Sequence, residues 1–299
     1  MIKERMILQK LKSKATSKGI PYQLLLQLFC QEEFLRRLER SEFKDKLILK
    51  GGLFLFSYSG FESRPTMDID FLARHLSNDK EEMKKVIDRI CQISTENDFI
   101  QYGIRAVENI TEIKAYHGVR LKMLAIIANT KTPSDIDIGL GDIIVPSVNE
   151  VQIPTQLDGF VIPKVASYSL ESTIAEKLEA MFDRMETTSR MKDYYDIYYL
   201  ASHYDFEGKI LKEAISRTFT NRGTDCTMRS LNRIATMNME SNMLNRWKAF
   251  TKKSLAVSLD FEIVIQLIIT FIEPLIYSIE EDKEMQKKWS KDQLNYIEK

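Results

Sequence analysis

Asp68 and Asp70 stand two apart in Thr66-Met67-Asp68-Ile69-Asp70-Phe71-Leu72, where acidic and apolar residues alternate. On an extended strand, side chains two apart share a face, so both carboxylates point one way while Ile69 and Phe71 point the other. Carboxylates held that close repel unless a cation lies between them, and Mg2+, a hard ion that prefers oxygen ligands, suits the gap. Upstream, the apolar run 47–50 ends in Gly51-Gly52, followed by Leu53-Phe54-Leu55-Phe56 and a polar loop that carries Arg64, Pro65 and Thr66. That order predicts a strand, a tight glycine turn and a helix start. Glycine lets the backbone approach a ligand closely, and the N–H groups of a helix N-terminus attract phosphate. A D-x-D alone is common on surface loops and strand edges. The glycine pair just upstream is what turns it into a candidate Mg2+-nucleotide site.

A third carboxylate is available in Ile136-Asp137-Ile138, which reads as a neighbouring strand, and Asp137 there closes the metal cage. Asp135 and Asp142 flank it, and either serves instead or satisfies a turn. Two-metal chemistry needs about this inventory, with carboxylates holding ions roughly 3.5–4 Å apart beside the attacking and leaving oxygens.

Further along, Ile174-Ala175-Glu176-Lys177-Leu178-Glu179-Ala180-Met181 places Lys177 on a helix, and Arg190-Met191-Lys192-Asp193-Tyr194-Tyr195-Asp196 places Asp193 and Asp196 on one face of the next. The bland readings are a solvated basic edge and acids that favour a helix N-terminus through its dipole. The functional alternative is a cation reaching triphosphate oxygens. Between Arg217 and Lys253, eight basic residues (Arg217, Arg222, Arg229, Arg233, Arg246, Lys248, Lys252 and Lys253) face two acidic ones, Asp225 and Glu240. That local excess reads as an RNA phosphate footprint, or equally as a docking face for an acidic protein. His75, His117 and His203 lack spacing for catalysis or zinc.

The elements that must position these residues follow from periodicity. Residues 4–14 and 22–40 carry apolar positions at helical spacing, separated by Lys18-Gly19-Ile20-Pro21. A further helix is expected over 78–97, capped by Ser77 or Asn78, then strands over 103–107, 119–128 and 134–138, two of them joined by a Lys131-Thr132-Pro133 turn. This order is α+β with a mixed sheet. From Ser169 onward the chain reads helical, over 169–186, 191–203, 208–219, 228–238 and 255–278, with a polar tail after Glu280 expected as an exposed helix or frayed end. The division predicted is a first domain over 1–163 and a helical one over 164–299.

Composition sets the remaining bounds. With 44% apolar and 29% charged residues and a formal net charge of zero, the chain has the makeup of a globular protein, and a nucleic-acid partner must be held by a local basic surface. The opening MIKERMILQKLKSK shows no signal pattern, and the apolar stretch 261–279 is interrupted by Glu262, Gln266, Glu273 and Pro274, which argues for a buried helix rather than a membrane span. Cys30, Cys91 and Cys226 read as reduced thiols of a cytoplasmic protein.

Taken together, LKGGLFLF with SRPTMDIDFL, RLKMLA with DIDIGLGDIIVP, ESTIAEKLEAMFDR with SRMKDYYDIYYLA, and more loosely ISRTFTNRGT resemble the nucleotidyltransferase AbiEii/AbiGii toxin family across most of the chain. The resemblance implies a polymerase-beta-like nucleotidyltransferase fold, a mixed sheet flanked by helices, with a helical C-terminal domain. It implies that Gly51, Gly52, Asp68 and Asp70 bind nucleotide phosphates and Mg2+, that Lys177 contacts the phosphates, and that Asp193, with Asp196 close behind, acts as base or site organiser. It further implies an NTP co-substrate, transfer to the 3′ acceptor end of tRNA or GTP binding, and a separately encoded antitoxin. The Ser or Thr and Arg or Ser that often precede D-x-D appear here as Thr66-Met67, one polar phosphate contact fewer.

The expected reaction is transfer of a nucleoside monophosphate from an NTP to a hydroxyl acceptor, with Arg64 and Lys177 on the developing charge. Rival readings are a phosphohydrolase using the D-x-D as nucleophile and acid, a GTP- or ATP-binding module without turnover, and transfer to a small molecule. Leu72, where a phosphohydrolase would carry Thr or Val, counts against the first.

Overall fold

The computed structural model describes residues 2–111, 117–255 and 258–298. The chain divides into two compact units, Met1–Asp142 with Val148–Tyr168, and Ile143–Ser147 with Ser169–Lys299.

The first unit contains helices α1 (Ile2–Lys18), α2 (Tyr22–Glu39), α3 (Gly51–Ser59) and α4 (Lys80–Cys91) and strands β1 (Leu47–Lys50), β2 (Ile69–Ala73), β3 (Ile100–Thr111), β4 (His117–Ile127), β5 (Thr130–Pro133), β6 (Ile136–Leu140), β7 (Asn149–Gln152) and β8 (Lys164–Ser167). The strands form one mixed sheet in the order β3-β4-β6-β2-β1-β8-β7, with β5 also on β4. β2 runs parallel to β6 and antiparallel to β1, and β1 runs parallel to β8. One face of the central strands carries Leu49, Ile69, Phe71, Ile136 and Ile138, all buried. α2 covers that face, with Phe34 6.3 Å from Phe71 between ring centroids. Beside them Ile7, Leu11, Leu25, Leu26 and Phe29 of α1 and α2 pack with Ile100, Ala125 and Ile127.

α2 also buries four charges one turn apart. Arg36 pairs with Glu32 at 2.9 Å and Glu33 at 3.2 Å, and Arg37 with Glu33 at 3.3 Å. Burial pushes the Glu32 carboxyl up to about 8 against the pull of Arg36. Burial likewise pushes the Cys91 and Cys226 thiols up to about 12, which makes them poor nucleophiles.

Several details of this unit differ from the sequence-based expectation: the helix expected over 78–97 spans only Lys80–Cys91, and the strand expected over 103–107 runs from Ile100 to Thr111. α4 is capped by Asp79, whose Oδ1 accepts from the backbone N–H groups of Glu81 and Glu82 at 3.0 Å, while Ser77 accepts from the N–H of Asp79. Lys131-Thr132-Pro133 is not the turn. It lies in β5, where Pro133 pairs with Leu124, and the reversal comes earlier, at Ala128, with φ +51°. The missing N–H of Pro133 is harmless there because β5 has one strand neighbour, β4.

The second unit holds α5 (Leu170–Arg184), α6 (Met191–His203), β9 (Phe206–Glu207), α7 (Gly208–Arg222), α8 (Met228–Ala235), α9 (Ser241–Ser254), α10 (Phe261–Glu280), β10 (Lys288–Ser290) and β11 (Asn295–Ile297). α9 was absent from the expected elements because it buries only Met243 and Trp247, too thin an apolar stripe to declare a helix. α10 is long and apolar enough by composition to cross a membrane, and buries Phe261, Val264, Ile265, Ile268, Phe271, Ile272, Leu275 and Ile276 within the unit. The tail after Glu280 is neither helical nor frayed. It forms β10 and β11, which join β9 in a small sheet. Trp289 is fully buried there, its Nε1–H donating to the Ala201 carbonyl at 2.8 Å and its ring 4.7 Å from Phe271. Gly208 permits this docking, because a Cβ at that position would stand 2.8 Å from Met285 Cγ. The polar residues around Trp289 hide this aromatic plug from a periodicity reading.

Candidate functional site

Four strands set one row of charged side chains across the face of the first unit's sheet opposite the one covered by α2. Lys50 of β1 is opposite Asp70 of β2, Asp70 is beside Asp137 of β6, and Asp137 is opposite Arg120 of β4. Directly paired residues of adjacent strands share a face, so the row reads plus, minus, minus, plus. Asp68 lies at the entry to β2 and is exposed, and Asp70 is half-buried.

The glycine turn is built against these acids. Gly51 has φ +67°, and a Cβ there would lie 2.6 Å from Asp70 Cγ and 2.7 Å from Asp70 Cβ. A Cβ on Gly52 would lie 2.8 Å from Thr66 Cβ, with the Arg64 guanidinium 3.7 Å away. Both positions must therefore be glycine for α3 to begin beside the D-x-D. No side chain caps the N-terminus of α3, which leaves its first N–H groups to other acceptors.

The backbone just before Asp68 is held from α2. Gln27 and Gln31, one turn apart and at most 2% exposed, both donate Nε2–H to the Met67 carbonyl, Gln31 at 2.7 Å. The Oε1 atoms of both glutamines lie buried without a partner. Sequence reading missed this pair, since two glutamines in an apolar helix carry no chemical signature. It also missed Lys50, whose Nζ is 2.8 Å from Asp142 Oδ2 and 5.2 Å from the Tyr168 ring centroid. Asp142 therefore holds Lys50, and Asp135 accepts from the N–H of Met123 in β4 at 2.9 Å.

Asp137, expected as the third metal carboxylate, has both oxygens on Arg120: Nε–H donates to Oδ1 at 2.7 Å and Nη2–H to Oδ2 at 2.5 Å. That hydrogen bonding raises the guanidinium's already high pKa. Among the described residues no three His, Cys, Asp or Glu side chains converge to hold a metal. Asp68 and Asp70 still supply the hard oxygen donors that suit Mg2+, which commonly takes one or two protein carboxylates plus substrate phosphates.

In the second unit, α5 and α6 bring together Lys177, Asp193 and Asp196. Lys177 Nζ lies 3.2 Å from Asp193 Oδ1 and 2.5 Å from Asp196 Oδ2, and Arg190 Nε–H donates to Asp193 Oδ2 at 2.6 Å. Both carboxylates are 1% exposed. Burial alone would raise the Asp193 carboxyl, yet Lys177 and Arg190 overcome it and hold it well below the usual carboxylate range.

The basic segment of this unit is partly spoken for. Arg217 pairs with Glu213, Arg222 with Glu179 and Glu176, and Arg233 with Glu186, while Arg246 donates to the carbonyls of Glu186 and Thr188. Arg229, Lys248, Lys252 and Lys253 are exposed and make no ion pair among the described residues.

Comparison with known proteins agrees with this fold. No curated protein matches the sequence. JHP933 of Helicobacter pylori, a solved structure, matches with TM-score 0.50 at 15% identity, over 87% of this chain and 94% of that one. A solved H. pylori protein described as a candidate nucleotidyltransferase matches with TM-score 0.51 at 15% identity, over 89% of this chain and 100% of that one. At that identity the two establish the fold. The family model described as "Nucleotidyl transferase AbiEii toxin, Type IV TA system" matches residues 33–267, so the chain belongs to the AbiEii nucleotidyltransferase toxin family.

Proposed function

We propose that this protein transfers a nucleoside monophosphate from an NTP to a hydroxyl at the 3′ end of an RNA, with tRNA the favoured acceptor, and that a cognate antitoxin restrains it. The observation that carries the reading is the direct packing of Gly51 against Asp70, which sets a phosphate-binding turn beside the D-x-D. The acceptor oxygen attacks the α-phosphorus, the bond from that phosphorus to the bridging oxygen breaks, and pyrophosphate leaves with that electron pair. The hydroxyl proton passes to solvent or a nearby carboxylate.

In this reading Gly51 and Gly52 hold phosphate oxygens through backbone N–H groups and Arg64 meets the developing negative charge, while Lys177 is the cation that the second unit offers to phosphate. Thr66 supports the turn from behind, being buried against Gly52. Asp68 and Asp70 are the residues that would hold Mg2+, which when bound neutralises charge between them and the phosphates. Asp193 and Asp196 fix the Lys177 ammonium, consistent with the two short ion pairs. The first unit then serves as the nucleotidyltransferase domain and the second as its helical companion, with Arg229, Lys248, Lys252 and Lys253 the exposed remainder of the basic segment available to RNA phosphates.

The test is incubation of the purified protein, and of Asp70→Ala, with each α-labelled NTP, Mg2+ and total cellular RNA. Label in RNA with the wild type alone supports the reading. A second reading, nucleotide binding without turnover, draws on the commitment of Asp137 to Arg120. It predicts stabilisation by NTP with no label in any acceptor.

A further inference from the structure

We propose that Arg120, held by Asp137, binds a phosphodiester of the acceptor strand, so that the acceptor enters on the β6–β4 side of Asp68 and Asp70. This rests on the nucleotidyl-transfer reading above and adds direction to it. β2 carries the D-x-D, and its two neighbours in the sheet differ sharply. On one side β1 leads into the glycine turn and carries Lys50, which belongs to Asp142. On the other lie β6 and then β4, with Asp137 and Arg120 in the same row as Asp70.

Attacking and leaving oxygens sit roughly in line on opposite sides of the transferred phosphorus. With the leaving pyrophosphate over Gly51 and Gly52, the acceptor hydroxyl must arrive from the Arg120 side. Adjacent strands are about 4.8 Å apart, which puts the Arg120 backbone about 10 Å from that of Asp70. A long side chain covers that span. The last nucleotide of an RNA carries its phosphodiester one sugar away from the 3′ hydroxyl, so a fixed guanidinium beside the acids is suitably placed to hold it.

The pair itself has the form of a presented cation. A guanidinium has five N–H donors, and Asp137 takes one from Nε and one from Nη2, so three, two of them on Nη1, are not used by Asp137. The Arg120 side chain is 44% exposed against 18% for Asp137. Bidentate gripping by a planar fork fixes direction in a way an ammonium cannot, so Asp137 is a positioning residue and Arg120 the group that touches substrate. Both oxygens of Asp137 are engaged in this task, in keeping with the absence of a three-acid cluster among the described residues.

The experiment uses Arg120→Gln, Arg120→Lys, Asp137→Asn and the Arg120→Gln/Asp137→Asn double variant of the full chain, each checked by thermal melting. Three quantities are read: affinity for deacylated tRNA at several salt concentrations, affinity for a non-hydrolysable NTP with its Mg2+ dependence, and the KM for tRNA in transfer. The expected result is a roughly 10-fold weaker tRNA affinity for Arg120→Gln, with a salt slope lower by about one. Asp137→Asn should weaken tRNA in the same direction, the double variant should be no worse than Arg120→Gln, and Arg120→Lys should recover part of the affinity. Nucleotide and Mg2+ binding should not move. Unchanged tRNA affinity in Arg120→Gln overturns the proposal even if Asp137→Asn fails to fold. So does a shifted Mg2+ requirement in Asp137→Asn with tRNA affinity intact, which would make Asp137 a metal ligand. A wild type that labels no RNA defeats the functional reading as a whole and this inference with it.

Discussion

Two charged clusters of this protein are built on opposite principles. In the first unit Asp68 is exposed and Asp70 half-buried, set beside a glycine turn that leaves α3 uncapped. In the second, Asp193 and Asp196 are buried and closed around Lys177, with Arg190 completing the charge balance. The first leaves its carboxylates in contact with water. The second pairs its charges with one another, a strut between α5 and α6 that also fixes the Lys177 ammonium. Carboxylates of one chemistry can thus differ widely in their access to water.

The sharpest way to break this contrast is to remove the ammonium from the strut. Lys177→Met leaves two buried carboxylates and one guanidinium, and should destabilise the protein by about 3–5 kcal/mol in urea unfolding. A loss below about 1 kcal/mol would mean that water reaches the cluster and that its burial is not what matters. Asp70→Ala should do the reverse. Transfer should fall by about 10²–10³-fold, equivalent to about 2.7–4 kcal/mol of barrier, with the melting temperature unchanged or raised by relief of repulsion.

The pH dependence of stability separates buried groups of the two units. The folded Asp193 carboxyl titrates below its ordinary value of 3.8, so its contribution is present above that value and is lost as pH falls below it. The folded Glu32 carboxyl sits at about 8 against an ordinary 4.5, so the folded state holds a proton the unfolded state lacks, and its contribution is lost as pH rises from 4.5 through about 8. Each slope is at most about 1.4 kcal/mol per pH unit. Unfolding titrations of Asp193→Asn and Glu32→Gln should flatten the acid limb and the neutral limb respectively. A smaller effect is expected for Gln31→Leu, which removes one donor to the Met67 carbonyl together with its own unpartnered Oε1, at a net cost of about 1 kcal/mol or less. If the glutamines aim Asp68, transfer should fall more than stability does, and Gln27→Leu/Gln31→Leu should fall further.

Much of this was legible in the linear order of residues. The alternation in Met67-Asp68-Ile69-Asp70-Phe71 announces a strand with acids on one face, and Phe71 and Ile69 are buried while Asp70 is not. The helix start at Ser169 was legible and Ser169 caps it, whereas α10, expected from residue 255, begins only at Phe261 after the Asp260 cap. Local signals of this kind survive because they depend on neighbours within a few residues. Trp289 illustrates the opposite case: a lone tryptophan among lysines looks like a solvated tail, and only the faces of α6 and α10 make it core.

By itself the sequence determined which residues are chemically capable: the glycines that can turn tightly, the acids that alternate with apolar neighbours, the lysine set among helix formers. Strand order was decided only in three dimensions, because the neighbours of β2 come from residues 47–50 and 136–140 and no periodicity specifies which strand lies on which side. That order put Arg120 across from Asp137, and the fold brought Lys50 to Asp142, so that both acids hold a cation. Charge pairing acts over a few ångströms of space, whatever the separation along the chain, and its outcome waits on the sheet.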